Sequence, residues 1–235
     1  MFGPAWAVLN PLAMIIVYTV IFSNIMQAKL PQVNSYYGYS IYLCAGIITW
    51  GLFAEIVGRS QTVFIDNANL LKKISFPKIS LPAITVLNAS LNFVIIFSLF
   101  ITFIVLSGNF PGWVTLTIIP ILVIQILFGI SLGIILGVLN VFFRDIGQLF
   151  GIVMQFWFWL TPIIYPITIL PEKVQAILVI WNPMVPIISA YQTVFVMGEP
   201  PNWNTLVIPL IIAIVLPLLA IRLYRKHAGE IVDEL

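Results

Sequence analysis

The chain has 235 residues and a formal net charge of +2, with 61% hydrophobic and only 8% charged residues. A water-soluble domain carries about one-quarter charged residues to keep its surface hydrated, so this composition excludes a soluble globule, and nucleic acid is not expected as a partner. A lipid bilayer is the remaining solvent, and an all-α integral membrane protein is the class it implies.

The first apolar run, near Pro4–Met26, continues well past a short secretory h-region, so no cleavable signal pattern is expected. A second run, near Tyr42–Phe64, holds the one cysteine, Cys44, which cannot form an internal disulfide and reads as a small buried hydrophobe. Glu55 and Arg59 lie four apart toward its end, in the favourable order for an ion pair on one helix face. Either they are a snorkelling pair at the interface, or they are an intramembrane functional pair.

The connection FIDNANLLKKISFPKISLP (64–82) follows. Asp66 or Asn67 can cap a short helix that carries Leu70, Leu71 and Ile74 on one side and Lys72 and Lys73 at its C-terminal end. Pro77 and Pro82 stop it. By spacing alone such a helix either lies on anionic lipid or docks into a partner's groove.

In the third run, near Ala83–Leu106, Thr85, Asn88 and Asn92 fall at i, i+3 and i+7, a polar stripe that lines a hydrated path or bonds to neighbouring helices. The fourth, near Val114–Phe142, repeats glycine every four residues at Gly129, Gly133 and Gly137, which permits close backbone approach for packing. Then comes VLNVFFRDIGQLF (138–150). Between Lys78 and Glu172, Arg144 and Asp145 are the only Asp, Glu, Lys or Arg. They mark a tight turn between spans, with Asp145 starting the next helix and both charges pinning the turn at the interface.

A fifth run extends to about Ile164 from Gly147 and ends in QFWFWLTPIIYP (155–166), dense in Phe156, Trp157, Phe158, Trp159 and Tyr165. Trp and Tyr gather at interfaces as anchors. Four consecutive aromatics cover every face of a helix, so some point inward, where aromatic faces stack on the C–H faces of sugar rings. The stretch 171–201 is apolar enough for a further span, but Pro183 and Pro186 interrupt it. It is read as two short re-entrant or interfacial helices on the outer side. The last span lies near Asn204–Tyr224, and His227 falls in the polar tail.

Six spans with an internal N-terminus place Arg59, Lys72, Lys73, Lys78, Arg144, Arg222, Arg225 and Lys226 inside, against Lys29 and Lys173 outside. Eight against two is the bias of cytoplasmic loops, whereas a seventh span would leave five against five. The chain has no GxxxxGK[ST] phosphate loop, no GxSxG elbow, no paired acidic motif for a magnesium-dependent lipid transferase, and too few His and Cys for a zinc cluster. It is expected to bind no cofactor itself and not to be an enzyme. An integral membrane enzyme acting on lipid-linked sugars is the alternative reading.

With these residues in view, the chain resembles the membrane subunit of bacterial ABC exporters for polysaccharides, the type-two exporter family serving O-antigen, capsule and teichoic acid. The matching stretches are FGPAWAVLNPLAMIIVY (2–18), YLCAGIITWGLF (42–53), NANLLKKISFPKISLP (67–82), LGVLNVFFRDIGQLF (136–150), FWFWLTPIIYP (156–166) and WNPMVPIISAYQ (181–192), in family order. The resemblance implies a permease that is a homodimer of six-span subunits in the bacterial cytoplasmic membrane, with both termini cytoplasmic. It also implies two separate ABC ATPase subunits, which hold the ATP and Mg, and export of a lipid-linked O-antigen-like polysaccharide, with capsule or teichoic acid as the alternative cargo. The helix near Asn67–Phe76 looks like the coupling helix that docks on the ATPase, giving Asp66, Asn67, Leu70, Leu71, Lys72, Lys73 and Phe76 that role. The turn with Arg144 and Asp145 faces the same side. Residues 166–201 look like outer gate helices. Trp50 and the aromatics at 156–159 are similar to residues lining a sugar path, to which Tyr165, Asn88 and Asn92 are added. Family members usually begin with a cytoplasmic amphipathic helix, whereas here Met1 stands directly before Phe2-Gly3-Pro4.

Overall fold

The computed structural model describes residues 3–25, 30, 35–73 and 80–234, and every regular element among them is helical. In lipid a backbone N–H or C=O has no water to bond to, so an apolar chain satisfies itself residue by residue as helix. Helix α1 (Gly3–Tyr18) passes into a π-helical stretch, Thr19–Ile25, where the Thr19 hydroxyl donates to the Ile15 carbonyl at 2.7 Å. Helix α2 (Gly38–Asp66) is 29 residues long. At 1.5 Å per residue it measures about 43 Å, against about 30 Å of hydrocarbon, so part of it stands beyond the apolar slab. A six-residue helix α3 (Ala68–Lys73) follows, then α4 (Ser80–Leu106), and α5 (Ile118–Phe142) entered through a 3-10 stretch at Gly112–Thr117. After α6 (Ile146–Leu160), α7 (Glu172–Trp181) and α8 (Met184–Gln192), the chain closes with α9 (Val207–His227) and α10 (Glu230–Glu234).

Gly38–Asp66, Ser80–Leu106, Gly112–Phe142 and Val207–His227 are each long and apolar enough to cross a bilayer. Their limits lie within a few residues of the expected second, third, fourth and last spans. The first and fifth runs yield shorter apolar helices, Val8–Phe22 and Ile146–Leu160. The fifth departs from expectation, because α6 stops at Leu160 instead of running to Ile164. Pro162 supplies no N–H and disfavours helix at Thr161, the residue before it. Helices α7 and α8, the latter continued by a π-helical Thr193–Met197, bend by 108° at Asn182–Pro183. Gly198, in the left-handed region at φ 68°, ends that stretch.

Two compact units make up the chain. The first comprises Met1–Gly51, Leu91–Ile121 and Thr161–Leu206, and the second Leu52–Ser90, Leu122–Leu160 and Val207–Leu235. Within the first unit, Phe97, Phe100 and Phe195 form an aromatic cluster with centroids 5.1–6.4 Å apart. Its non-helical stretch Thr161–Pro166 has buried carbonyls that need partners. The Tyr39 hydroxyl donates to the Ile164 carbonyl at 2.6 Å, and the Tyr42 hydroxyl to the Tyr165 carbonyl at 3.0 Å. Gln192 Nε2 approaches the carbonyls of Pro162 and Ile163 at 3.4 and 3.5 Å. Asn182 shapes the bend ahead of α8, giving Nδ2–H to Thr161 Oγ1 at 2.9 Å and receiving the Met184 N–H on Oδ1 at 3.1 Å.

Within the second unit the glycine row of α5 is the seam against α2. A Cβ on Gly133 would stand 2.4 Å from Ser60 Cβ, one on Gly137 2.7 Å from the Ser60 carbonyl, and one on Gly129 3.3 Å from Ile56 Cγ2. A buried apolar cluster lies alongside, uniting Phe64, Leu71, Leu81, Val138, Tyr224 and Ile231. The units also sort charge. Among the described residues Arg59, Lys72, Lys73, Arg144, Arg222, Arg225 and Lys226 belong to the second unit, and Lys173 to the first.

Candidate functional site

The second unit carries a groove of about 370 Å³ where α2 turns into α3 and α4 begins. Its walls bring together three groups that are separate in the sequence. Asp66, Asn67 and Leu70 come from the α2–α3 connection, Arg59 from the ion pair, and Thr85 and Asn88 from the polar stripe. The connection is tight because Asn67 serves both helices. Its Nδ2–H donates back to the Val63 carbonyl at 2.8 Å, and its own carbonyl receives the N–H of Leu70 and of Leu71, each at 3.0 Å. A side chain that can bond to nearby backbone is what makes Asn favoured at such a junction.

Arg59 Nη2 meets Glu55 Oε1 at 2.8 Å. Arg59 is 54% exposed and Glu55 23%, so water screens the pair and its contribution to stability is about 0–1 kcal/mol. Thr85 donates to the Leu81 carbonyl at 3.2 Å, a local helix bond, while Asn88 is exposed on the groove wall. Asn92, the third member of the stripe, belongs to the first unit and does not line this groove.

Spacing placed Leu70 and Leu71 on the same side of α3, and the structure packs both against one apolar cluster but buries them unequally. Leu71 is 5% exposed and packs inside this chain, in the cluster that also holds Tyr224 and Ile231. Its side chain is therefore taken up by the chain's own core. Leu70 lines the groove, Lys72 is exposed, and Lys73 closes α3. Ile74 and Phe76 lie outside the described residues. α10 packs against α3, a brace from the far end of the chain that the sequence did not signal.

Arg144 and Asp145 sit exposed in a short turn between α5 and α6. The Asp145 carbonyl takes the Leu149 N–H at 3.0 Å, opening α6, and the Phe143 carbonyl takes the Ile146 N–H. The turn is held from beneath by Asn140, a buried residue that the sequence analysis passed over. Asn140 Nδ2 donates to the Gln61 carbonyl, and its Oδ1 receives the Gly147 N–H, both at 3.0 Å. An amide inside an otherwise apolar span was the available signal, since buried polar groups have to be partnered.

The aromatic segment divides by face. Trp157 turns inward, with its ring centroid 5.4 Å from Phe53 and 6.3 Å from Phe128, both edge-on. Phe156 points away at 67% exposed, and Phe158 and Trp159 meet each other edge to face at 5.5 Å. Trp50 is buried in the first unit, where Tyr165 also belongs. The expected sugar-path residues are thus shared between the two units. No three His, Cys, Asp or Glu side chains cluster to hold a metal among the described residues.

The groove thus joins α2, α3 and α4 at one corner of the second unit. Residues 1–196 match the family described as ABC-2 type transporter. The chain is 27% identical to the O-antigen export system permease protein RfbA of Myxococcus xanthus over 99% of its own length and 88% of that protein. It is 30% identical to the protein of the same name from Klebsiella pneumoniae, over 96% of this chain and 84% of the relative. A more distant similarity, 23% over 80% of this chain and 71% of the relative, links it to the polysialic acid transport protein KpsM of Escherichia coli.

Proposed function

The chain belongs to the ABC-2 type transporter family, and we propose that within it the chain is the permease subunit of an ATP-driven exporter of O-antigen-like polysaccharide. Relatives named for O-antigen export align along 96–99% of the chain at 27–30% identity. The relative named for polysialic acid transport aligns along 80% at 23%. That difference favours O-antigen over capsule as the polymer class, with capsule export by the same fold as the second reading.

In this proposal the subunit pairs with itself in the bacterial cytoplasmic membrane and with two copies of an ABC ATPase, which bind ATP and Mg. The cargo is a lipid-linked polymer moving between protomers. Six spans place both termini in the cytosol, and the run 166–201 turns back at the outer surface as a gate. The eight-to-two bias of Lys and Arg toward one set of connections along the chain supports this orientation. The observation that carries the reading is the groove at the α2–α3 corner, where Asp66, Asn67 and Leu70 share walls with Arg59, Thr85 and Asn88. It offers a place where ATPase movement enters the membrane helices, with Lys72 and the Arg144–Asp145 turn also exposed.

Co-expression with candidate ATPases carrying a phosphate loop tests it. The permease should co-purify with one of them, and deleting the permease should leave completed polymer inside the cell. A deletion strain that still displays polymer outside would rule the function out. Labelling of a C-terminal tag by an impermeant reagent in intact cells would rule out the orientation.

A further inference from the structure

A second groove in the same unit is unused by the export reading. Its volume is about 370 Å³, and it is lined by Ile135 of α5 and by Leu219, Arg222, Leu223 and Lys226 of α9. The four α9 residues fall at i, i+3, i+4 and i+7, so they form one helix face with leucines and cations alternating along it. α9 is apolar and long enough to cross the bilayer, with Arg225, Lys226 and His227 in its last turn and Arg222 about one turn before them. The apolar floor therefore begins at membrane depth and the cations sit where lipid headgroups are found.

Two like charges four apart on a helix repel each other. Among the described residues the close acid–base contacts are Arg59–Glu55 and His227–Glu230, and neither Arg222 nor Lys226 has an acidic partner among them. Glu230, four residues after Lys226, lies 2.7 Å from His227 Nδ1. We infer that this groove is a binding site for an anionic phospholipid of the bilayer, with an acyl chain along Ile135, Leu219 and Leu223 and the phosphate between the Arg222 and Lys226 heads. A phosphate that brings its own ammonium would set a third cation beside these two, which selects against zwitterionic lipid. A lipid diphosphate would carry more negative charge than two cations balance. A free phosphate ion has no use for the apolar floor.

Native mass spectrometry of the detergent-purified full chain, titrated with phosphatidylglycerol or phosphatidylcholine, reads the site without requiring transport. Phosphatidylglycerol is expected to bind at least about ten-fold more tightly than phosphatidylcholine, consistent with the attraction of two interfacial cations. The variant Arg222→Gln/Lys226→Gln should lose that preference. Arg222→Lys/Lys226→Arg, which keeps both charges, should retain it, as should Arg225→Gln, which removes a cation outside the groove. Equal binding of the two lipids by the wild-type chain, an equal loss in Arg225→Gln, or undiminished preference in the neutralised double variant would each overturn the site. Displacement of phosphatidylglycerol by an equimolar polyprenyl diphosphate would assign the groove to a carrier lipid and overturn the phospholipid assignment.

Discussion

Asn140 receives the backbone N–H of Gly147 on its Oδ1 at 3.0 Å, and so ties the end of α5 to the start of α6 across the exposed Arg144–Asp145 turn. The same side chain gives its amide hydrogen to the Gln61 carbonyl of α2. Three helices are joined by one buried amide. Asn140→Ala strands the Gly147 donor and the Gln61 acceptor together, with an expected loss of about 1–3 kcal/mol, read as a lowered Tm of the purified protein. Asn140→Asp keeps the acceptor for Gly147 and forfeits the donor to Gln61. An unchanged Tm in Asn140→Ala would show the amide to be dispensable.

The α5 glycines should not tolerate a methyl group equally. Gly133→Ala meets the Ser60 side chain and Gly137→Ala the Ser60 main-chain carbonyl, while Gly129→Ala meets Ile56 less closely. Overpacking of this kind costs about 1–3 kcal/mol, with Gly129→Ala the mildest. Adding Ser60→Gly should rescue Gly133→Ala, because the obstructing Cβ is gone. It should leave Gly137→Ala unrescued, because the carbonyl remains. Equal rescue of both in a double-mutant thermal series would refute the seam.

Leu70 and Leu71 differ in how much of each side chain the core takes. Leu71→Ala should destabilise the isolated chain by about 2–5 kcal/mol, the usual range for a buried leucine. Leu70→Ala, at a residue only partly buried against the same cluster, should lower Tm less than Leu71→Ala while reducing polymer export and permease-dependent ATPase activity in the assembled complex. If Leu70→Ala exports normally, the groove at the α2–α3 corner is not the coupling surface.

Tyr39→Phe and Tyr42→Phe each remove a hydroxyl that serves a carbonyl of the Thr161–Pro166 stretch. Each is expected to cost about 0.5–1.5 kcal/mol, and hydrogen exchange of amides in 161–166 should rise. Loss confined to regions away from that stretch would contradict the assigned bonds.

Much of this architecture was legible from residue order because the bilayer imposes long apolar runs, and Lys and Arg mark their ends. The four long apolar helices needed nothing more than that. The break at Asn182–Pro183 and the turn at Arg144–Asp145 were likewise announced by prolines and by isolated charges. What depends on distant partners was not legible. Asn140 bonds to a carbonyl 79 positions away, and periodicity carries no such information. Leu71 is buried in a cluster that also holds Tyr224 and Ile231 from the far end of the chain, a placement that helical spacing alone does not give. The end of α6 was written in Pro162, but continued hydropathy through Ile163 and Ile164 masked it.

The irregular stretch Thr161–Pro166 has a mechanical corollary. Tyr39, Tyr42 and Gln192 grip it at four consecutive carbonyls, from Pro162 to Tyr165. Peeling it from those side chains requires several bonds to let go within the same displacement.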